Sequence, residues 1–179
     1  MPQIELNIAK SQFTPKFYPY LRDYSHRFEV WYGGAGSSKS YTIAQKIIIR
    51  CCSEEIRVLV CRRYGSTLRE SCFALFKEIL KKWKLTPYIK IKETDFSISF
   101  PNGSQIIMKG LDDENKLLST TDIGTVWIEE AYETTKHMLE QLNLRMRGRN
   151  ENQQIIISYN PISQNHWLYD FVEVNPPAN

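Results

Sequence analysis

The stretch from Val30 to Arg50, VWYGGAGSSKSYTIAQKIIIR, constrains the fold more than any other part of the chain. The apolar run FEVWY from Phe28 ends in a burst of small residues, followed by a lone Lys39 and by Ile43, Ile47 and Arg50 at helical spacing. That order predicts a strand, a tight turn and a helix. Small residues in such a turn let successive backbone N–H groups face one anion. Gly33, Gly34, Ala35, Gly36, Ser37 and Ser38 therefore read as a phosphate cradle, with Lys39 as the cation for the β- and γ-phosphates and Ser40 as the hydroxyl for magnesium. Ser38 stands where this pattern usually has glycine. Serine fits if its backbone angles stay in ordinary regions, but it lacks the freedom of glycine at positive φ. The same residues also suit a plain glycine-rich turn capped by a serine.

The rest of the chain alternates strands with helices. IRVLVC at 56–61 predicts a buried strand, and 66–83 a helix with Leu68, Cys72, Leu75, Phe76, Ile79, Leu80 and Trp83 on one face and Ser66 as a possible N-cap. DFSISFPNGSQIIMKG alternates on both sides of Pro101-Asn102-Gly103-Ser104, a hairpin signal. IGTVWIEEA is a further apolar run, TTKHMLEQLNLRMRG a helix stopped by Gly148, and NQQIIISYNP a strand ending at Asn160-Pro161. Residues 1–27, with prolines at 2, 15 and 19, read as an extended arm packed on the domain. The prediction is an α/β phosphate-loop fold: a mainly parallel sheet flanked by helices, with an inserted β-hairpin and ligands at the carboxyl ends of the strands.

A chain of 179 residues suits one domain, and no stretch approaches the roughly 18 apolar residues a membrane span needs. Cys51, Cys52, Cys61 and Cys72 lack paired metal-site spacing and lie far from the histidines, which argues against zinc and for reduced, partly buried thiols. The net charge of +3 permits contact with nucleic acid without arguing for it.

Two acids, Glu129 and Glu130, close the run TVWI. The first can hold a magnesium shell and the second can orient and deprotonate an attacking water, which is most of what phosphoryl transfer asks of a protein. The two acids would equally suit the start of a helix near Tyr132, where carboxylates complement the dipole. At the end of the last strand, Ser158 and Asn160 could sense the γ-phosphate; a strand ending in a proline turn accounts for them as well.

Taken in order, FTPKFYPYL, GGAGSSKS, RRYGSTLRESCFALFKEIL, KGLDDENKLLSTTDIGTVWIEEA, LNLRMRG and SYNPISQNHWLYDFV resemble the N-terminal ATPase domain of the large terminase subunit of tailed bacteriophages. KGLDDENKL and NP...HWLYDF are the most specific parts, since a generic phosphate-loop protein has no reason to carry them. The resemblance implies a magnesium-dependent ATPase of the additional-strand, catalytic-glutamate type. Such a protein assembles as a ring on the procapsid portal in the infected host's cytoplasm, with the portal protein and small terminase subunit as partners, and pumps double-stranded DNA inward. By matching positions, Lys39 and Ser40 bind phosphate and magnesium, Glu129 is the metal-side acid, Glu130 the catalytic acid, and Ser158, Tyr159 and Asn160 couple hydrolysis to movement. The expected layout is an arm at 1–27, an ATPase core at 28–161 and the start of a lid or linker at 162–179. The nuclease domain of complete large terminases has no room here, so an isolated motor half, monomeric by itself, or a chain cut near the start of the lid region is expected.

Two departures from the family matter. Many members carry arginine where this chain has Ala35, and related phages place another where it has Ser119. Arg62, Arg63, Arg145, Arg147 and Arg149 remain as arginine-finger candidates, at least one expected to act in trans, though each alone also suits a solvated surface. Lys77, Lys81, Lys82, Lys84, Lys90 and Lys92 could line a DNA path or simply be a wet helix face. Tyr18, Tyr20 and the neighbouring arm could cover the adenine, as the resemblance implies for the segment upstream of the loop, or pack in the core. A nucleotide-binding ring component without turnover, or another phosphate-loop helicase or kinase, are the alternatives.

Overall fold

The computed structural model describes residues 4, 6–112, 120–146 and 150–177. Seven strands form one sheet in the order β1-β7-β6-β2-β5-β4-β3: β1 (Phe28–Tyr32), β2 (Arg57–Arg62), β3 (Lys90–Lys92), β4 (Ser97–Ser99), β5 (Gln105–Gly110), β6 (Thr125–Ile128) and β7 (Gln154–Tyr159). β1, β7, β6, β2 and β5 are mutually parallel, while β4 turns back on β5 and β3 on β4. Helices α1 (Lys39–Ser53), α2 (Ala74–Lys82) and α3 (Lys136–Arg145) complete the frame.

Both faces of the parallel part are covered, which explains why its strands read as nearly unbroken apolar runs. On one face Val58, Val60, Trp127 and Ile156 pack against Ile43, Ile47 and Phe76. On the other, Leu59, Val126, Ile155 and Ile157 meet Leu139, Leu142 and Leu168. Among the described residues no helix is long and apolar enough to cross a membrane.

The expected hairpin is present, with Phe100 N–H donating to Ser104 O at 2.9 Å across its turn. Other details differ from the sequence reading. The arm is not simply extended: it forms 3₁₀ turns at Lys10–Gln12 and Pro15–Tyr20, where Pro15 and Pro19 hold φ near the 3₁₀ value. The helix expected over 66–83 is broken into a 3₁₀ turn at Gly65–Thr67, a π-turn at Arg69–Phe73 and then α2, so Ser66 lies inside a turn and caps nothing. Helix α3 ends at Arg145, and Gly148, its expected stop, lies outside the described residues. All four cysteines are free and fully buried, and burial pushes their thiols upward, Cys52 to about 12.

Helix α1 is bound to its surroundings by buried charge. Lys46 is 1% exposed and pairs with Glu29 on β1, while Arg50, 2% exposed, reaches Thr125 Oγ1 at 3.0 Å and Asn152 O at 2.6 Å. Tyr24 of the arm lies under both cations, its ring centre 4.4 Å from the Arg50 guanidinium. At the other edge the charges are in water: residues 69–95 carry seven Lys or Arg against four acids, and the rest of the chain carries sixteen of each. The whole net charge therefore sits on α2 and the hairpin edge.

Candidate active site

Strand β1 delivers the chain at Tyr32 to the small-residue turn, and α1 starts at Lys39. Gly36 sits at φ +76°, a conformation that favours glycine, and a Cβ there or at Gly34 would meet nothing within 4 Å. Ser38 shares the left-handed region, at φ 62° and ψ 14°, contrary to the ordinary angles the sequence reading asked of it. It makes no side-chain cap bond, so the left-handed backbone costs about 1–2 kcal/mol at the entrance to α1. The Lys39 ammonium is held by Gly33 O at 2.7 Å, Ser37 Oγ at 3.0 Å, Gly34 O at 3.1 Å and Asn160 Oδ1 at 3.3 Å.

The first acid lies against this turn. Ser40 Oγ donates to Glu129 Oε1 at 3.3 Å, joining positions 89 residues apart. The other oxygen, Glu129 Oε2, approaches Arg62 Nε at 3.1 Å without the alignment of a hydrogen bond, and Arg62 Nη2 reaches Glu133 at 3.7 Å. Burial lifts the Glu129 carboxyl above its ordinary range; Arg62 opposes this and Glu130 adds to it. Glu130 stands next in a left-handed conformation, φ 53° and ψ 48°, and opens a 3₁₀ turn at Ala131–Glu133. The acids thus precede a three-residue turn, and α3 begins later, capped by Thr135, whose Oγ1 accepts from Met138 N at 3.3 Å.

Strand β7 contributes unequally. Asn160 reaches Lys39, as above, but Ser158 is buried between strands, where its Oγ accepts from Trp127 Nε1 at 2.9 Å. Trp127 is itself wholly buried, with Phe76 edge-on at 6.1 Å. The Tyr159 ring stacks on Tyr32 at 5.8 Å, and burial pushes its hydroxyl up to about 12.

Beside the turn opens a cleft of about 650 Å³, lined by Phe17, Tyr20, Glu29, Trp31, Tyr32 and Lys39 among others. Of the two tyrosines expected over a base, Tyr20 lines the cleft, whereas Tyr18 packs edge-on against Phe13 at 5.8 Å, away from that lining. A small-residue turn at a helix start, a lysine, a serine hydroxyl and a carboxylate thus meet beside an aromatic cleft.

The model of the phage terminase large subunit family matches residues 25–175. The chain belongs to that family. It is 34% identical over 158 residues to the PBSX phage terminase large subunit of Bacillus subtilis (strain 168), covering 88% of this chain and 36% of that protein. The chain spans about a third of the length of the curated relatives it matches. Two solved structures share its fold. The large terminase of a thermophilic bacteriophage in complex with ADP has a TM-score of 0.69 at 16% identity, and the match covers 91% of this chain and 44% of that one. The N-terminal domain of the DNA packaging ATPase from bacteriophage phi29 has a TM-score of 0.66 at 18% identity, over 92% and 87%.

In this terminase chain the finger candidates fall in different places. Arg62 is inside the site, paired with its own chain's Glu129 and Glu133. Arg63 lies over the Tyr64 ring at 5.8 Å and donates to Met138 Sδ at 3.1 Å. Arg145 lines a small cavity with Leu59, Ile123 and Val126, with its Nε buried and unpaired. Arg147 and Arg149, like Ser119, lie outside the described residues. Phe17 comes from the same arm as Tyr20, whereas reasoning from sequence missed Glu29, Trp31 and Tyr32 as cleft residues; the parallel pairing of β1 with β7 brings them there and leaves no local signal.

For magnesium, the donors are of the right kind. Ser40 Oγ and Glu129 Oε1 are hard oxygen ligands 3.3 Å apart, the kind of donor magnesium takes, while Glu129 Oε2 is buried against the Arg62 guanidinium without an aligned hydrogen bond. Among the described residues no group of three or more His, Cys, Asp or Glu could hold a metal unaided, so the phosphates and water would complete the shell.

Proposed function

We propose that this chain is the ATPase motor portion of a large terminase: it hydrolyses ATP to ADP and phosphate, with magnesium, to drive double-stranded viral DNA into a procapsid. The observation that carries the reading is the meeting of three sequence-distant segments, Lys39 with Asn160 at 3.3 Å and Ser40 with Glu129 at 3.3 Å. The turn at 33–38 and Lys39 bind the β- and γ-phosphates, Ser40 and Glu129 hold the metal, and the base lies in the cleft of Phe17, Tyr20 and Tyr32. Bound magnesium supplies charge neutralisation on the phosphates. Glu130 takes the proton of the attacking water, and its neighbour Glu129 stays on the metal side. Asn160 senses the γ-phosphate through the lysine both contact, and Ser158 and Tyr159 pass its loss into the sheet.

In this reading residues 28–161 form the core, 1–27 an arm over it and 162–179 the start of a lid or linker. The chain works as a ring on the portal with the portal protein and small terminase subunit, in the host cytoplasm, and is a monomer by itself. One of Arg63, Arg145, Arg147 or Arg149 serves a neighbouring subunit as the finger. Arg62, already engaged by two carboxylates of its own chain, holds Glu129 in cis.

The test is magnesium-dependent ATP hydrolysis across a wide range of protein concentration, with Lys39→Ala as the blank. Turnover per chain that climbs with concentration and vanishes in the blank supports the reading. Turnover equal in the blank, or no ATP binding at all, overturns it.

A further inference from the structure

The family-specific segment SQNHWLYDF follows β7, and the phosphate chemistry above gives it no task. Its contacts do. His166 Nε2 lies 2.8 Å from Tyr132 O, and its Nδ1 accepts from Leu168 N at 3.2 Å. A carbonyl can only accept and a backbone N–H can only donate, so both bonds form together only in the neutral Nε2–H tautomer. The next residue, Trp167, donates from Nε1 to Thr134 O at 2.7 Å. Its ring meets Phe171 at 6.0 Å, and Phe171 in turn meets Phe28 of β1 at 5.4 Å, so the indole is anchored to the sheet.

The two carbonyls so gripped flank Glu133 in the turn that Glu130 opens. The turn's own backbone bonds, Glu133 N to Glu130 O and Thr134 N to Ala131 O, are each 3.0 Å. It is too short to be self-supporting, and it starts from a non-glycine residue at φ 53°. A left-handed backbone of that kind persists only where its surroundings over-determine it. Here the surroundings are the fully buried Ala131, the Thr134 side chain bonded back to Ala131 O at 2.7 Å, and the two aromatic donors.

We propose that His166 and Trp167 are positioning residues for Glu130: together they clamp the turn behind it and so fix where its carboxylate stands. The chain runs from Asn160, which touches the Lys39 amine, through Pro161 and Ile162 into this segment, so one stretch of chain joins the phosphate-binding lysine to the turn of the catalytic acid. The proposal rests on the reading of Glu130 as the catalytic acid.

The experiment uses the full chain with Trp167→Phe, which keeps a ring but loses the donor, with His166→Leu, and with the double variant. His166→Gln, which keeps an amide donor, is the rescue, and Glu130→Gln the reference. Two readouts are taken with the melting temperature: kcat and KM for MgATP, and amide exchange at Glu133 and Thr134. Loss of one ordinary hydrogen bond predicts about a fivefold fall in kcat and a matching rise in exchange for each single variant, with KM within about twofold. His166→Gln should regain most of the loss. Wild-type kcat in the double variant, beside an inactive Glu130→Gln, overturns the clamp. Full turnover in Glu130→Gln overturns instead the role given to that acid. The exchange measurement needs no turnover, and unchanged protection at Glu133 and Thr134 in the double variant overturns the proposal by itself.

Discussion

At the β1–β7 edge of the sheet the chain keeps charge inside, whereas at the β4–β3 edge it leaves both its charge and its hydrogen-bonding rim in water. Lys46 and Arg50 are buried beside the first edge, and Ser38 and Glu130 sit at positive φ at the strand ends nearby. The second edge is a hairpin of three-residue strands with Lys90 and Lys92 exposed, a common way to blunt an open edge against pairing with other chains. The parallel edge draws together residues from remote parts of the chain, and each contact must offset a long loop closure as well as the burial of charge. The hairpin edge forms from neighbours in sequence and has no such cost to meet. Buried charge is thus concentrated beside the candidate site, while left-handed backbone occurs at both edges, at Ser38 and Glu130 near the first and at Lys84 and Phe96 near the second.

The largest test of that contrast is Glu130→Gln, expected to lower turnover at least about a hundredfold while ATP still binds, as read by steady-state hydrolysis and equilibrium binding. Next is Lys46→Met, which leaves the half-buried Glu29, also near Asp23, without its main cation. About 3 kcal/mol of stability should be lost at neutral pH, measured by denaturant unfolding. Burial already lifts the Glu29 carboxyl above its ordinary range and Lys46 pulls it back, so the variant raises it further. A carboxyl raised in the fold favours the fold below its unfolded value, and that contribution is lost as pH rises through the folded value. The deficit of Lys46→Met should therefore shrink as pH falls toward 5 and widen toward 7.

A smaller effect is expected at Ser38→Gly. Relief of the left-handed backbone is worth about 1 kcal/mol or more, partly offset by the extra freedom glycine gives the unfolded chain, for a net gain below about 1 kcal/mol. An unchanged or lower melting temperature would mean that serine is held there by a contact stronger than the strain. Least of all, Lys90→Ala with Lys92→Ala should change stability by no more than about 0.5 kcal/mol and leave turnover alone. A large loss at that edge would break the comparison.

The parts of this fold that sequence reveals are those set by nearest neighbours. FEVWY, IRVLVC and IIISY declare themselves as strands through apolar runs, and the hairpin through Asn102-Gly103 between alternating residues. The three-residue β3 is too short to show a period, and the π-turn at Arg69–Phe73 leaves the 3.6-residue spacing on either side nearly intact, so neither could be read. In the candidate site, Gly33 to Ser40 and the two acids stand out in the sequence because consecutive residues carry the groups that the proposed chemistry needs. That Ser158 faces Trp127 rather than the phosphate turn depends on strand register, as does the engagement of Arg62 by Glu129. Residue type cannot report either.

The Trp127 indole, bonded to Ser158 across β6 and β7, has an optical consequence. An indole in a dry core emits at short wavelength, and an N–H held by a hydroxyl draws that emission toward the red. Any slide of β7 along β6 separates the pair and alters the colour. With Trp31, Trp83 and Trp167 replaced by phenylalanine, the remaining fluorescence would report the relative travel of these two strands in real time, from inside the sheet and without an added label.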